Sequence, residues 1–435
     1  MSLLGNNAAR GNRRSGVVTV LDIGSSKVCC IIARLKPCDD SQLLKGRTHQ
    51  VQVIGIGHQK SHGVKSGLPV DLDRAERSIR LAVDAAERMA GLTVESLIVN
   101  VTAGRLRSET FSATVKLGGE EADASDVKRV LAAGAKLALK AERQVVHSLA
   151  TGFSLDGENG VRDPLGMVGE GLGVNMHVLT GDAGPLRNVE LCVNRAHLSV
   201  ERMVATPYAS GLSTLVDDEI EMGAACIDIG GGATTISVFT EGRFVYGSSL
   251  PVGGSHVTMD LARGLSTRLE DAERLKVMHA SALPSTGDDR DVVTVQPIGE
   301  EGEPALQIPR SVMNRIVRAR IEESLELVRD RLAQSGFASA AGRRVVLTGG
   351  AAQLGGFSEA ARRILGRQVR IGRPLGVAGL PEAAKGPAFA TSVGLLIYPQ
   401  VSGFETTGAR FGPRLRATGT GGRFQRVSQW LRESF

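Results

Sequence analysis

Three glycine-bearing turns, each delivered by an apolar strand-like run, constrain this chain more than any other feature. The first is Leu21-Asp22-Ile23-Gly24-Ser25-Ser26-Lys27. The second is Ile227-Asp228-Ile229-Gly230-Gly231-Gly232-Ala233-Thr234-Thr235. The third is Val346-Leu347-Thr348-Gly349-Gly350-Ala351. In the first two, a β-branched run presents an Asp, turns at Gly and resumes as a strand. Glycine lets backbone N–H groups approach a phosphate with no Cβ in the way, and successive N–H groups form an anion-binding nest. The Asp repels phosphate, but it can hold Mg²⁺ through water while the cation bridges phosphate oxygens. The third turn carries no Asp or Lys and suits a flat, neutral base and its ribose. One such turn alone is usually an ordinary β-turn. Two phosphate turns with their own Asp, followed by a neutral third, predict two similar lobes with a nucleotide in the cleft between them. No G-x-x-x-x-G-K-[ST] pattern and no strand–G-x-G-x-x-G–helix pattern is present, so the reading is neither a P-loop nor a dinucleotide fold.

The 435 residues are enough for two to four domains with their own cores. Aromatics are only 3%, which argues against a stacking platform for nucleic acid, so no nucleic-acid partner is expected. Part of the +6 formal charge sits at the ends, with Arg10, Arg13 and Arg14 in one tail and Arg410, Arg414, Arg416, Arg423, Arg426 and Arg432 in the other. The five cysteines have no metal-ligand spacing and read as reduced thiols of a cytoplasmic protein. The opening segment has no apolar h-region, and no run has the roughly 18 apolar residues of a membrane span.

Along the chain, residues 1–15 read as a disordered tail. Residues 103–181 break the pattern of the flanking strands: runs at Thr110–Val115 and Gln144–Leu149 surround a helix from Ser125 to Lys140, capped by Asp123 or Ser125. A Gly-rich loop from Gly157 to Gly173 follows. The strand–turn–strand pattern of the opening returns at 224–238. The last residues, 422–435, place Phe424, Val427, Trp430, Leu431 and Phe435 in one arc of about 140° on a helical wheel. A Gly/Thr/Arg linker separates that helix from the body. It reads as a membrane-surface helix, with docking on the protein's own core as the rival reading.

Asp22-Ile23-Gly24, Asp228-Ile229-Gly230-Gly231-Gly232 and Leu347-Thr348-Gly349-Gly350 resemble the phosphate-1, phosphate-2 and adenosine motifs of the actin-like ATPases. Ser61-His62-Gly63-Val64-Lys65-Ser66-Gly67, Asp271–Leu283, Val369-Arg370-Ile371-Gly372-Arg373-Pro374 and Val393-Gly394-Leu395-Leu396 narrow the resemblance to the bacterial cell-division family FtsA, over about residues 16–400 and the last fifteen. That resemblance implies an α/β, actin-like two-lobed ATPase fold with ribonuclease-H-like lobes, inserted 1C and 2B subdomains and a C-terminal amphipathic helix. The expected division is 16–102 and 182–220 as subdomain 1A, 103–181 as 1C, 221–257 and 331–400 as 2A with a closing helix, 258–330 as 2B, 401–421 as linker and 422–435 as membrane helix. It further implies ATP and Mg²⁺ as cofactors. The expected nucleotide set is Asp22, Gly24, Ser25, Ser26 and Lys27 in the first turn, and Asp228, Gly230, Gly231, Gly232, Ala233 and Thr234 in the second. Gly253, Glu273, Lys276, Gly349, Gly350 and Ala351 complete it. Asp22 and Asp228 would hold Mg²⁺ through water.

Expected partners are the C-terminal peptide of the tubulin-like protein FtsZ, through 2B and Arg310 in a basic helix from Ile308 to Arg320; further copies of the chain, through 1C and lobe contacts; later division proteins, through 1C; and membrane lipids. The expected location is the cytoplasmic face of the inner membrane at the septum, as a peripheral protein. Where the chaperone ATPases carry Asn-Glu-Pro, with the Glu near the attacking water, this chain has Ala205-Thr206-Pro207. At most a slow ATPase is therefore expected, acting as an adaptor. The rival functions are a small-molecule kinase of the same superfamily and a pilus-type assembly ATPase.

Overall fold

The computed structural model describes residues 16–37, 47–137, 142–298, 304–402 and 405. The N-terminal tail, nearly all of the linker and the helix expected at 422–435 lie outside the described residues. Among the described residues, no helix is long and apolar enough to cross a membrane.

Two sheets share one wiring. In the first lobe the strands Gly16–Ile23, Lys27–Pro37 and His49–Lys60 form an antiparallel meander. Ser96–Val101 then adds parallel to the first strand, and Ser199–Ala205 parallel to it. In the second lobe Ala224–Ile229, Thr234–Thr240 and Arg243–Leu250 form the meander. Arg344–Thr348 and Gln368–Ile371 add in parallel on the other side. In both sheets the order is therefore third, second, first, fourth, fifth, with Val377–Ala378 as an extra edge on the first. The repeat seen at residues 22 and 228 is thus a repeat of whole lobes. The first strand of each meander is central, so its side chains are buried from Val18 to Ile23 and from Ala224 to Ile229, and each buried run ends at the Asp and the turn. Both turns are thereby carried on rigid strands at the C-terminal edge of their sheets, where open α/β sheets place ligands.

The irregular block forms a four-stranded antiparallel sheet, Arg107–Lys116, Gly171–Asp182, Arg143–Leu155 and Glu158–Val161 in spatial order. The helix Ala124–Leu137 covers it, and Val130, Leu172, Val174 and Met176 form its core. Asp123 is the residue that caps this helix: its Oδ1 accepts the N–H of Ser125 at 2.7 Å and of Asp126 at 2.9 Å. The expected Gly-rich loop at 157–173 contains the short strand Glu158–Val161, because Gly157 closes a tight turn that folds the chain back on Arg143–Leu155. This sheet also docks on the second lobe. His177 is buried, with Nδ1 3.0 Å from the Phe244 carbonyl and Nε2 2.9 Å from the Ser108 hydroxyl, and Ser108 accepts the Gly247 N–H at 2.7 Å.

Residues 254–334 add the helices Gly254–Gly264 and Leu269–His279, a hairpin of Val292–Val295 with Leu306–Pro309, and the long helix Arg310–Gln334. The basic helix expected from Ile308 to Arg320 thus starts at Arg310 and runs far longer. Pro309 precedes it and blocks an earlier start.

Two helices cross between the lobes, Thr206–Thr214 and Ala390–Val401. Gly394 makes that crossing possible: a side chain there would run into the Ala209 carbonyl. In open space a helical Gly→Ala change stabilises by about 1 kcal/mol. Here Gly394→Ala is expected to destabilise by roughly 1–3 kcal/mol through overpacking against backbone, read as a lower melting temperature in calorimetry. An unchanged or raised melting temperature would show that the helices do not approach this closely.

Candidate functional site

The site forms where the two phosphate-type turns meet. Gly24 N–H donates to the Lys27 carbonyl at 2.9 Å, and Gly230 N–H donates to the Ala233 carbonyl at 2.9 Å, so both turns have the same closure. They face each other across the lobes. A side chain at Gly231 would collide with the Ser26 hydroxyl, and one at Gly232 would lie 2.5 Å from the Ser25 hydroxyl. The Ser61–Gly67 loop joins them: Ser66 donates to the Gly232 carbonyl at 2.8 Å, and Ser25 accepts the Gly67 N–H at 3.2 Å. A side chain at Gly232 would also lie 2.9 Å from the Ser66 backbone nitrogen, so glycine is required there, and a Cβ-free turn lets backbone N–H groups line a phosphate site.

The two aspartates lie below the turns, 8% (Asp22) and 7% (Asp228) exposed. Burial pushes the Asp228 carboxyl up to about 6; the Thr391 hydroxyl opposes the rise and the nearby Asp22 charge adds to it. Burial also raises Asp22, opposed by Lys27 and the Ser392 hydroxyl. Two buried carboxylates within electrostatic reach of each other, beside a glycine cradle, form a donor set that fits a hydrated divalent cation carrying phosphate. A cation there would relieve both burial and mutual repulsion.

The third turn closes the far wall. Gly349 has φ +87, so only glycine is comfortable there, and it packs directly on Asp228 and the Ile229 carbonyl. Gly350 is nearly open, its nearest neighbour being Ala388 Cβ at 3.8 Å from a side chain placed there. The helix Gly254–Gly264 starts beside the second turn: Gly254 N–H donates to the Gly230 carbonyl at 2.9 Å and Ser255 N–H to the Gly231 carbonyl at 2.7 Å. A side chain at Gly253 would strike those same carbonyls. Lys276 and Glu273 converge on this helix. Lys276 Nζ donates to Glu273 Oε2 at 2.6 Å, Thr258 Oγ1 at 2.9 Å and the Gly254 carbonyl at 3.3 Å. Ala351 lies 3.0 Å from a side chain built at Gly254, so the pair sits at the same mouth as the third turn.

Three predicted residues have protein partners of their own. Lys27 Nζ donates to the Ala388 carbonyl at 2.6 Å and lies 3.3 Å from the centre of the Phe389 ring. Thr234 Oγ1 donates to the Val252 carbonyl at 2.8 Å, and its residue is 1% exposed. Arg310 donates to the His279 carbonyl at 2.8 Å and lies 3.9 Å from Asp288 and 3.8 Å from Asp291. The three turns, the two aspartates and the Glu273–Lys276 pair are linked by the contacts described above.

Several residues at the site escaped sequence reading. Asn100 accepts the Ile23 N–H at 2.7 Å and donates to Thr206 Oγ1 at 3.2 Å, bracing the first turn on the interlobe helix. Ser392 donates to Asp22 Oδ2 at 2.7 Å, and Thr391 to Asp228 Oδ2 at 2.9 Å. The signal was slight: two hydroxyl residues at the start of an otherwise apolar helix.

Comparison with known proteins fits this geometry. The model of the cell division protein FtsA matches residues 225–394, and that of the SHS2 domain inserted in FtsA matches residues 103–180. The cell division protein FtsA of Rhizobium meliloti is 63% identical over 98% of this chain and 96% of its own length. That of Pseudomonas aeruginosa is 35% identical over 88% and 90%, and that of Escherichia coli K12 is 30% identical over 96% and 98%. Among solved structures, a PilM-PilN type IV pilus biogenesis complex aligns over 90% of this chain and 99% of its own, with TM-score 0.59 at 15% identity. MreB5 of Spiroplasma citri bound to ADP aligns over 88% and 96%, with TM-score 0.53 at 12% identity. At these identities the solved structures speak to the fold, which is actin-like. This chain, matched nearly end to end by the curated relatives, belongs to the FtsA family of cell division proteins.

Proposed function

We propose that this chain binds Mg·ATP between its lobes and serves as an adaptor that tethers FtsZ to the cytoplasmic face of the inner membrane at the division septum. The observation that carries the nucleotide half is the meeting of three glycine turns and two buried aspartates where the two lobes join. A neighbour of the same fold is solved with ADP, which supports the ligand class. The N–H groups of the first two turns would cradle the phosphates. Gly350 would pack on the adenosine, with Glu273 and Lys276 at the ribose side. Asp22 and Asp228 would hold Mg²⁺ through water, and the cation would neutralise phosphate charge. Ala205-Thr206-Pro207 supplies no carboxylate to orient a water, so turnover is slow at most.

The adaptor half rests on family membership and on the basic, amphipathic C-terminal sequence. FtsZ's C-terminal peptide would dock on the 258–330 block, whose surface exposes Val277, Met278, Val292 and Ile298. Arg310 is already engaged by Asp288 and Asp291, so an acidic peptide would have to compete with them. Self-assembly and later division proteins would use the 103–181 insert and the lobe faces.

The test is co-sedimentation with anionic liposomes. FtsZ should pellet with them only when this protein is present with residues 422–435 intact. Gly350→Asp should separately weaken ATP binding by tenfold or more in calorimetry, because its bulk and charge enter the base wall. FtsZ left in the supernatant with the intact protein refutes the tether, and unchanged ATP affinity in Gly350→Asp refutes the adenosine assignment.

A further inference from the structure

One short segment, Pro387 to Ser392, touches all three turns of the cleft. The Pro387 carbonyl accepts the Gly349 N–H and the Thr348 hydroxyl, both at 3.2 Å. The Ala388 carbonyl accepts from Lys27 of the first turn at 2.6 Å. Thr391 and Ser392 then each give a hydroxyl to one aspartate, Thr391 to Asp228 of the second lobe and Ser392 to Asp22 of the first.

The geometry points to Thr391 and Ser392 as positioning residues for the Mg²⁺ of a bound nucleotide, holding the two aspartates of opposite lobes at a spacing set by two consecutive residues of one helix. This rests on the Mg·ATP reading proposed above. Thr391 is 7% and Ser392 0% exposed, so both hydroxyls are buried beside their aspartates. Each occupies the Oδ2 of its aspartate, which fixes the carboxylate's rotation and leaves its other lone pairs for metal-bound water. Groups that orient metal-site carboxylates in this way are typically worth 10–100-fold in metal affinity. Two features favour this over a purely structural helix cap. Both bonds are long-range, 163 and 370 residues apart in the chain, and the helix that carries them packs on the interlobe helix Thr206–Thr214. That helix also packs on the first-lobe strands Gly16–Ile23 and Ser96–Val101, so a change in the angle between the lobes moves the Thr391 hydroxyl against Asp228, and the cation site and the lobe angle are mechanically tied. Neither hydroxyl meets the nucleotide; both act through the aspartates.

The test compares ATP affinity in excess Mg²⁺ with affinity in EDTA, by calorimetry on the full chain. Thr391→Val keeps the side-chain shape and removes the donor. It is expected to lower affinity in Mg²⁺ about tenfold or more and to leave the EDTA value within about twofold. Thr391→Ser, which restores the hydroxyl, should recover most of the Mg²⁺-dependent affinity. A merely structural residue would lower both values together or neither. The proposal is overturned if Thr391→Val keeps the parental ratio of the two affinities, or if Thr391→Ser fails to rescue it. If Thr391→Val does not fold, Ser392→Ala takes its place: a selective loss in Mg²⁺ supports the proposal, and an unchanged ratio overturns it. A parent that binds no ATP in either condition removes the nucleotide reading itself, and this inference with it.

Discussion

Replacing Asp228 by Asn is expected to raise the melting temperature of the nucleotide-free protein at pH 8 while weakening Mg·ATP binding by tenfold or more. The Asp228 carboxyl is 7% exposed and titrates at about 6 in the folded chain, against an ordinary value of 3.8. A raised folded pKa means that the native state holds its proton more tightly than the unfolded one. The stability that this gives is complete below pH 3.8 and is lost as the pH rises through about 6. Above that, the fold carries a buried carboxylate at a cost on the order of 3 kcal/mol, since each tenfold change in proton affinity is about 1.4 kcal/mol. Asn keeps the shape and still accepts from the Thr391 hydroxyl, but it carries no charge to bury. The gain over the parent should therefore be near zero at pH 4, grow between pH 4 and 6, and level off above. Scanning calorimetry of both proteins across that range measures it. Excess Mg·ATP should reverse the ranking, because the parent recovers the cost of its carboxylate through the cation and the variant cannot. A variant no more stable than the parent at pH 8 would show that Asp228 is not the strained group the geometry describes. Equal Mg·ATP affinity would remove it from the cation site.

This trade explains why the turns were legible in the sequence and their supports were not. Asp22-Ile23-Gly24 and Asp228-Ile229-Gly230 are local devices: an apolar strand, a charge and a glycine must be adjacent for the turn to work, so the sequence displays them together. The lobes follow for the same reason, since each turn needs its meander. The partners that make the aspartates tolerable are distant. Thr391 and Ser392 sit at the head of an apolar helix, where hydroxyl residues are common and no periodicity distinguishes them. Lys27 was legible as a cation beside a phosphate turn, but its neighbour Phe389 belongs to another part of the chain. Arg310 was legible as a member of a basic helix expected from Ile308 to Arg320. The loop that places Asp288 and Asp291 beside it has no sequence signature. The insert was legible only as a break in pattern. Its docking through His177 and Ser108 on the second lobe depends on tertiary contacts that no local spacing encodes.

Trp430→Glu is expected to abolish liposome binding while leaving the folded body and its ATP affinity unchanged. The prediction rests on the sequence of residues 422–435, in which Phe424, Val427, Trp430, Leu431 and Phe435 share one arc of a helical wheel and this Trp is the chain's only one. Full burial of five such side chains would contribute about 10 kcal/mol, but insertion at the headgroup boundary is partial and ordering a short helix offsets some of it. Arg423, Arg426 and Arg432 each add about 1 kcal/mol near an anionic surface. The net is several kcal/mol per chain, a reversible anchor that self-assembly would strengthen by multivalency. A Glu at position 430 removes the side chain that most favours the interface and puts a charge on the apolar arc. Those two losses together match the whole anchor. In the parent, Trp430 emission should shift blue when anionic vesicles are added, as the indole leaves water; a single tryptophan makes that signal unambiguous. Absence of the shift, with Trp430→Glu pelleting on liposomes as well as the parent, would show that the tail is no membrane anchor. A substantial fall in the variant's melting temperature would instead mean that the arc packs on the protein's own body, because a surface helix held on a linker contributes nothing to the stability of the lobes.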